Sequence, residues 1–257
     1  MAGDIWAPLV GRFVDLHYGS LFGRVRLHVV GQHLRAHLPP PPATLADVGG
    51  GAGDQSIPLA RDGYHLTIVD PSPAMLARAE ERLAAEPAEV AARVRLVRAS
   101  ATGARASLGG ARYAGVLCHG VIMYIDEPAP FIAALADLAE PGGTVSIVAK
   151  NARVLPTSFA SEGKWAEALA AFGTDRQINS LGLPTRGDTV EGLTSLLAAS
   201  GVEQVAWYGV RTFTEGWTRS RPARDPDDLV LAVELEASRR DPYRAASRLF
   251  HLVGRRR

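Results

Sequence analysis

From Thr44 onward the chain alternates short apolar runs with segments whose apolar residues recur at helical spacing. Runs near 44–48, 65–70, 93–98, 113–118 and 144–149 have the length of strands, and the helical pattern falls near 54–62, 74–85 and 128–139. Strands that alternate with helices argue an α/β fold with a parallel, doubly wound sheet. Before Thr44, Ile5, Leu9, Phe13 and Leu16, then Val25, Val29, Val30 and Leu34, recur near helical spacing, so residues 5–37 read as a helical arm. Pro39 to Pro42 form a stiff break that separates an arm at 1–42 from an α/β domain at 43–257.

After Asn151 the pattern changes. Residues 156–172 predict an inserted helix carrying Trp165, and Gly182 to Gly187 a turn-rich loop. Asp188-Thr189-Val190-Glu191 resembles a capping box opening a helix that stops at Gly201. Val202 to Thr212 reads as a strand, Asp225-Pro226 and Asp241-Pro242 as helix starts, and Leu249 to Val253 as the last strand before a basic tail, Arg255-Arg256-Arg257. The expected result is a seven-stranded, mostly parallel sheet with one terminal antiparallel strand. The arm and insertions near 150–187 and 213–245 would cover its carboxyl edge.

Composition narrows the class without choosing a function. Of 257 residues, 47% are hydrophobic and 21% charged, the profile of a soluble globular protein. A net charge of +1 gives no global field toward nucleic acid or membrane, although a local basic patch would suffice for RNA. Cys118 is the single cysteine, which excludes an intramolecular disulfide and cysteine-rich zinc sites. With no secretory signal and no apolar run of transmembrane length, a cytoplasmic enzyme is expected.

The chemistry concentrates at Asp47-Val48-Gly49-Gly50-Gly51-Ala52-Gly53-Asp54, where an apolar run meets a helix-like segment. Glycines let the backbone turn sharply and approach a ligand, and a helix N-terminus receives an anionic group. A carboxylate at the strand end suits a cationic amine. An amino acid carries both charges, as does the methionine part of S-adenosylmethionine. Asp70 ends the next strand, at the spacing that places a carboxylate beside an adenosine ribose; capping the following helix is the alternative. NAD-binding domains share these features, but Asp54 stands where their G-x-G-x-x-G fingerprint has its last glycine.

Together with Tyr113 to Cys118 and the Pro141-Gly142-Gly143 turn, these motifs resemble, in order, those of class I S-adenosylmethionine-dependent methyltransferases. That resemblance implies a Rossmann-like class I methyltransferase fold, with S-adenosyl-L-methionine as cofactor. More narrowly, the chain resembles, nearly end to end, the SmtA-type enzymes that methylate the carboxyl group of 5-carboxymethoxyuridine in tRNA. The carrying segments are Tyr18-Gly19 with Gly23 and Arg26, Gly49 to Gly51, His119, Asn151-Ala152, Gly209-Val210-Arg211 with Phe213, Glu234-Leu235-Glu236 and Asp241-Pro242-Tyr243. The resemblance implies that Arg26 reaches the cofactor carboxylate and that Gly51 and Ala52 touch its methionine portion. It implies further that Asp70 holds the ribose, that Ala101 and Thr102 lie beside adenine, and that His119 lines the pocket. Asp47, Gly49 and Gly53 complete the loop. Two departures stand out: Thr102-Gly103 replaces a Gln-Asp pair, and Phe172 to Gln177 replaces a lysine-rich run.

The acceptor is open between tRNA and a small-molecule carboxyl or hydroxyl group; a module that binds cofactor without turnover is the distant alternative. Arg211, ending a strand beside the cover, could clamp a carboxylate bidentately or form a surface ion pair. Tyr124 could stack on adenine or substrate, or pack in the core. A carboxylate acceptor needs no base; for a phenol or amine, His119 or His17 would serve. His33 and His37 are spaced for a metal but lack a neighbouring Glu, so a solvated helix face and no metal are expected. Cys118 reads as a small buried hydrophobe.

Overall fold

The five-residue run Thr44–Val48 (β1) is an inner strand of the sheet in a computed structural model that describes residues 4–17, 20–214 and 227–257. β1 pairs in parallel with β2 (His65–Asp70) on one side and β4 (Tyr113–His119) on the other. β3 (Val94–Arg98) extends the β2 side, and β5 (Ala139–Lys150) follows β4, both in parallel. β6 (Arg176–Ile178) and β7 (Pro184–Arg186) form a separate antiparallel hairpin. β8 (Val202–Val210) and β9 (Leu249–Arg256) complete a seven-stranded sheet of order β3-β2-β1-β4-β5-β9-β8. The chain-terminal β9 is the antiparallel strand, and it lies inside the sheet, between β5 and β8.

Alternation along each strand separates two apolar layers. Ala46, Val48, Val116, Cys118, Val145 and Ile147 face the helices Pro128–Leu138 and Val190–Ala199. Leu45, Leu66, Leu117 and Val148 face the helix Leu21–His37, whose Val25, Val29, Val30 and Leu34 are fully buried against them. The N-terminal helical stretch is two helices, Val10–His17 and Leu21–His37; Ser20 caps the second by accepting from Gly23 N at 3.2 Å.

Several sequence expectations need local correction. The inserted helix is two helices, Leu155–Ser161 and Trp165–Ala170, with Gly163 between them in the left-handed region at φ 73°. The loop at 182–187 belongs to the β6–β7 hairpin, whose turn is tied by Asn179 Oδ1 accepting from Leu181 N and Leu183 N at 2.9 and 3.0 Å. The cap at 188–191 is shifted by one residue: Thr189 accepts from Gly192 N, while Asp188 is taken by Arg186 at 2.8 Å. β8 ends at Val210, not Thr212. Asp241 caps nothing and pairs with Arg244 at 2.7 Å. Asp225-Pro226 and Tyr18-Gly19 lie outside the described residues. The basic tail is mostly strand: Arg255 donates to Thr144 Oγ1 and to His37 O, both at 2.7 Å, and Arg256 to Ser200 O.

Candidate functional site

The strand order reverses where β2 and β4 flank β1, and ligands of open α/β sheets bind in the crevice outside the carboxyl ends at such a point. Asp47, the glycine loop, Asp70 and His119 all lie there. Gly49, Gly51 and Gly53 have φ of 73°, 54° and 80°, a backbone that side chains other than glycine rarely adopt. Gly50 is required for room instead: a Cβ would stand 2.7 Å from the Asp47 carboxyl carbon. Asp47 accepts from Ser56 Oγ at 2.7 Å. Burial pushes its pKa up to about 6, with Asp70 adding to the rise and Ser56 and Arg26 opposing it.

Asp70 carries the geometry of the second strand end. Its Oδ2 accepts from Gly51 N at 3.0 Å and its Oδ1 from Ser72 N at 2.9 Å. The helix Pro73–Ala84 is capped by Ser72, so Asp70 ties the glycine loop to the start of that turn without itself being the cap. Burial raises its pKa, and the two N–H bonds oppose the rise. Ala99 N bonds Asp70 O at 3.3 Å, which sets the segment holding Ala101 and Thr102 beside this strand end; the Thr102 hydroxyl lies 3.3 Å from Ser100 Oγ.

On the other side of the crevice, Arg26 leans from its helix across Gly120, so close that a Cβ there would stand 3.0 Å from Nη2. That nitrogen donates to His119 O at 2.8 Å. Arg26 forms no ion pair among the described residues. Burial and the nearby Arg211 guanidinium lower its pKa. Arg211 follows β8 in the left-handed region at φ 64° and lays its guanidinium over the Phe22 ring, 4.6 Å from the centroid. Tyr124, half-buried on the turn Ile122–Tyr124, accepts from Asn179 Nδ2 at 3.0 Å and meets Trp6 edge-on at 5.3 Å. The insertion and the N-terminal segment therefore both close on Tyr124.

A profile of the methyltransferase domain family matches residues 46–145. The tRNA 5-carboxymethoxyuridine methyltransferase of Escherichia coli K12 is 24% identical over 242 residues, covering 93% of this chain and 91% of that protein. A ubiquinone biosynthesis O-methyltransferase of Cereibacter sphaeroides KD131 is 28% identical over 236 residues, 88% of each chain. Magnesium protoporphyrin IX methyltransferase from Synechocystis PCC 6803, solved with bound S-adenosylhomocysteine, superposes with a TM-score of 0.68 at 15% identity over 99% of this chain and 97% of that one. The chain is a class I S-adenosylmethionine-dependent methyltransferase. S-adenosyl-L-methionine is its cofactor.

Side chains outside the glycine loop fasten the site, and the first of them, Arg82, belongs to no sequence motif. Arg82 donates from the next helix to Ala52 O at 2.8 Å and pairs with Asp54 at 2.5 Å, fastening the glycine loop from behind. Burial lifts the Asp54 carboxyl to about 7 against the pull of Arg82. Behind Arg211, buried Glu234 accepts from the N–H groups of Thr212, Phe213 and Thr214 at 2.7 to 3.0 Å. Asn151 likewise bonds the carbonyls of Ala245 and Ser247 at 3.1 and 3.0 Å. The outer resemblance segments thus scaffold the edge that carries Arg211.

The expectation of a solvated histidine face is overturned. His33 is 3% exposed, donates to or accepts from Ser238 Oγ at 2.8 Å and stacks on Tyr208 at 3.6 Å, because its helix face lies on β8 and β9. His37 reaches Tyr208 OH at 2.7 Å. Among the described residues no cluster of His, Cys, Asp or Glu is arranged to hold a metal. No described helix is long and apolar enough to cross a membrane. Cys118 is buried, and burial pushes its thiol pKa up. The side chain of His17 lies outside the described residues.

Proposed function

We propose that this methyltransferase esterifies a carboxylate acceptor held by Arg211, and that 5-carboxymethoxyuridine in tRNA is that acceptor. The observation that carries the reading is that Arg211 lies over Phe22, one turn before Arg26 on the same helix, so that two guanidiniums share the carboxyl edge at His119. Two like charges at a site that receives a sulfonium call for anions. In this reading Arg26 answers the cofactor carboxylate and Arg211 the acceptor carboxylate. The acidic loop supports placing Asp47 at the cofactor amine, Gly49, Gly51, Ala52 and Gly53 along its methionine portion, Asp70 on the ribose, and Ala101 and Thr102 beside adenine. The arm at 1–42, through Trp6, and the cover near 150–187, through Asn179, meet at Tyr124 and close the site; most of the first half of the cover near 213–245 lies outside the described residues. A cytoplasmic location fits a tRNA acceptor.

Bound S-adenosylmethionine supplies an electrophilic methyl carbon on a positively charged sulfur. The protein's part is alignment and charge. A carboxylate is ionised at neutral pH, so attack needs no base. The pocket accordingly keeps its imidazole uncharged: burial and Arg26 hold His119 at about 3. Arg211 has a planar fork that matches a carboxylate bidentately and restrains the attacking oxygen.

A second reading, a small-molecule carboxyl or phenolic hydroxyl, draws on the relative of ubiquinone biosynthesis and on the segment Phe172 to Gln177, which carries a single basic residue. Salt separates the two. A tRNA acceptor should lose affinity by about 0.7–0.9 log units per tenfold salt for each phosphate contact, whereas a small acceptor should show a much flatter dependence. If tRNA bearing the carboxylated uridine is never methylated, the first reading fails.

A further inference from the structure

Beneath the site lies a buried row of imidazoles that methyl transfer to a carboxylate does not require. Strand register places His119 opposite Val148, Val148 opposite His251, and His251 opposite Tyr208, so one line of side chains crosses β4, β5, β9 and β8. Ser146, two residues before Val148, reaches into this line. Its Oγ lies 2.9 Å from His119 Nε2 and 2.7 Å from His251 Nε2. Ser146 and His251 are fully buried. The Nδ1 atoms of His119 and His251 are buried and have no partner.

One hydroxyl proton cannot serve two ring nitrogens. With both rings neutral, Ser146 donates to one and accepts from the other. The Arg26 guanidinium, bonded to the His119 carbonyl, decides the direction: a nearby cation favours a lone pair over an N–H on the remaining nitrogen of that ring. His119 is then protonated at Nε2 and donates to Ser146. Ser146 donates to His251 Nε2, and His251 carries its proton on Nδ1.

We propose that Ser146 and His251 are positioning residues of the methyltransferase site, holding His119 as the Nε2–H tautomer so that its Nδ1 keeps a lone pair and turns no N–H on the Arg26 guanidinium. Protonating His119 would put an N–H on a buried Nδ1 that has no acceptor, beside two guanidiniums. The groups facing this row from the packed elements are Arg26, His33 and His37 on the helix, Asp47 on β1, Tyr124 on the turn, Tyr208 on β8 and Arg211 beyond it. Without the Ser146 hydroxyl, the Nε2–H of His119 loses its acceptor, in the neutral ring and in the imidazolium alike, so the ring stays neutral and its proton is free to move to Nδ1.

The test reads the His119 tautomer from nitrogen-15 spectra at pH 8 in wild type, Ser146→Ala, Ser146→Thr and His251→Phe, beside calorimetric affinity for S-adenosylmethionine. Wild type and Ser146→Thr should hold the proton on Nε2 and bind alike. Ser146→Ala removes the acceptor of that proton, and His251→Phe leaves the Ser146 hydroxyl free to donate to Nε2, so both should move proton population to Nδ1 and weaken binding by about threefold or more through repulsion of Arg26. A proton on Nδ1 of His119 in wild type, or variants with the wild-type tautomer, overturns the proposal. Should the variants fail to fold, the wild-type spectrum decides it alone. The inference rests on placing the cofactor's methionine end at Arg26. Arg26→Ala at pH 8 tests that placement separately, since unchanged affinity there removes the placement and leaves the spectra free to report on the row.

Discussion

Replacing Asp70 by Asn changes no heavy-atom count, yet it should cost both stability and cofactor affinity. Each carboxylate oxygen accepts one backbone N–H, from Gly51 at 3.0 Å and from Ser72 at 2.9 Å. An amide has one acceptor oxygen and one NH2 group, so in either orientation a donor faces a buried donor. Losing one hydrogen bond to a charged group costs about 1.5–3 kcal/mol. Relief of burying the charge returns part of this, because burial raises the Asp70 pKa. A net loss of about 1–2 kcal/mol lowers Tm by about 2–8 °C in a domain of this size. The freed Gly51 N–H also releases the loop on which the cofactor's methionine portion is placed. Weaker ribose acceptance adds a further factor of about ten in Kd, roughly 1.4 kcal/mol. Differential scanning calorimetry reads the first effect and titration calorimetry with S-adenosylmethionine the second. An unchanged Tm would refute the loop tie, and an unchanged Kd would remove Asp70 from the ribose.

Four further outcomes are expected. Arg26→Ala should weaken S-adenosylmethionine binding by about tenfold to a hundredfold, the worth of one charge-assisted bond, measured by titration calorimetry at pH 8. Arg211→Lys keeps the charge but loses the planar fork, so turnover of a carboxylate acceptor should fall at least about tenfold in a radiolabel transfer assay; full turnover would exclude a bidentate clamp. Arg82→Ala should loosen the glycine loop at Ala52 and leave buried Asp54 uncompensated, lowering Tm and raising cofactor Kd together in paired melting and binding measurements. Burial holds His33 at about 3, below its unfolded value of 6.5, so its stabilising contribution is complete above pH 6.5 and falls as pH drops toward 3. Wild type should therefore lose up to about 1.4 kcal/mol per pH unit relative to His33→Phe in urea melts over that range, and parallel pH curves would contradict it.

The half of the site around β1, β2 and β4 was legible in the sequence because its determinants are local. Asp47 and the glycines of residues 47–53 follow one strand end and Asp70 marks the next, where a backbone requirement leaves a residue signature. The strands of the sheet were legible for the same reason, since each is one apolar run with its own period. The other half was not. Arg82 reaches Ala52 from 30 residues away, and Asn179 reaches Tyr124 from 55 residues away. Nothing in the identity of an arginine or an asparagine announces such a partner. His33 and His37 misled for a related reason: i, i+4 spacing reports only that two side chains share a helix face. Whether that face meets water or the strands β8 and β9 is decided by packing. The basic ending at Arg255 and Arg256 resembled a free tail because charge usually ends a strand, whereas here the guanidiniums cap carbonyls on neighbouring elements.

Charge balance ties the two halves together. Arg26 stands across the crevice from Asp47 and Asp70, and it has no carboxylate of its own among the described residues. Burial lifts Asp47 to about 6, so a cationic partner would stabilise its ionised form. An incoming amino-acid group offers the amine that Asp47 lacks and the carboxylate that Arg26 lacks, and so relieves both desolvated charges at once. That exchange adds a sulfonium and leaves Arg211 close to Arg26. An anionic acceptor is attracted by that sulfonium before the methyl group moves and is itself neutralised by the transfer. With a carboxylate acceptor, as proposed, the product ester would lose the attraction that held the substrate. A site built this way discriminates substrate from product by charge, and product inhibition by the ester should be weaker than competitive inhibition by an unreactive carboxylate of the same size.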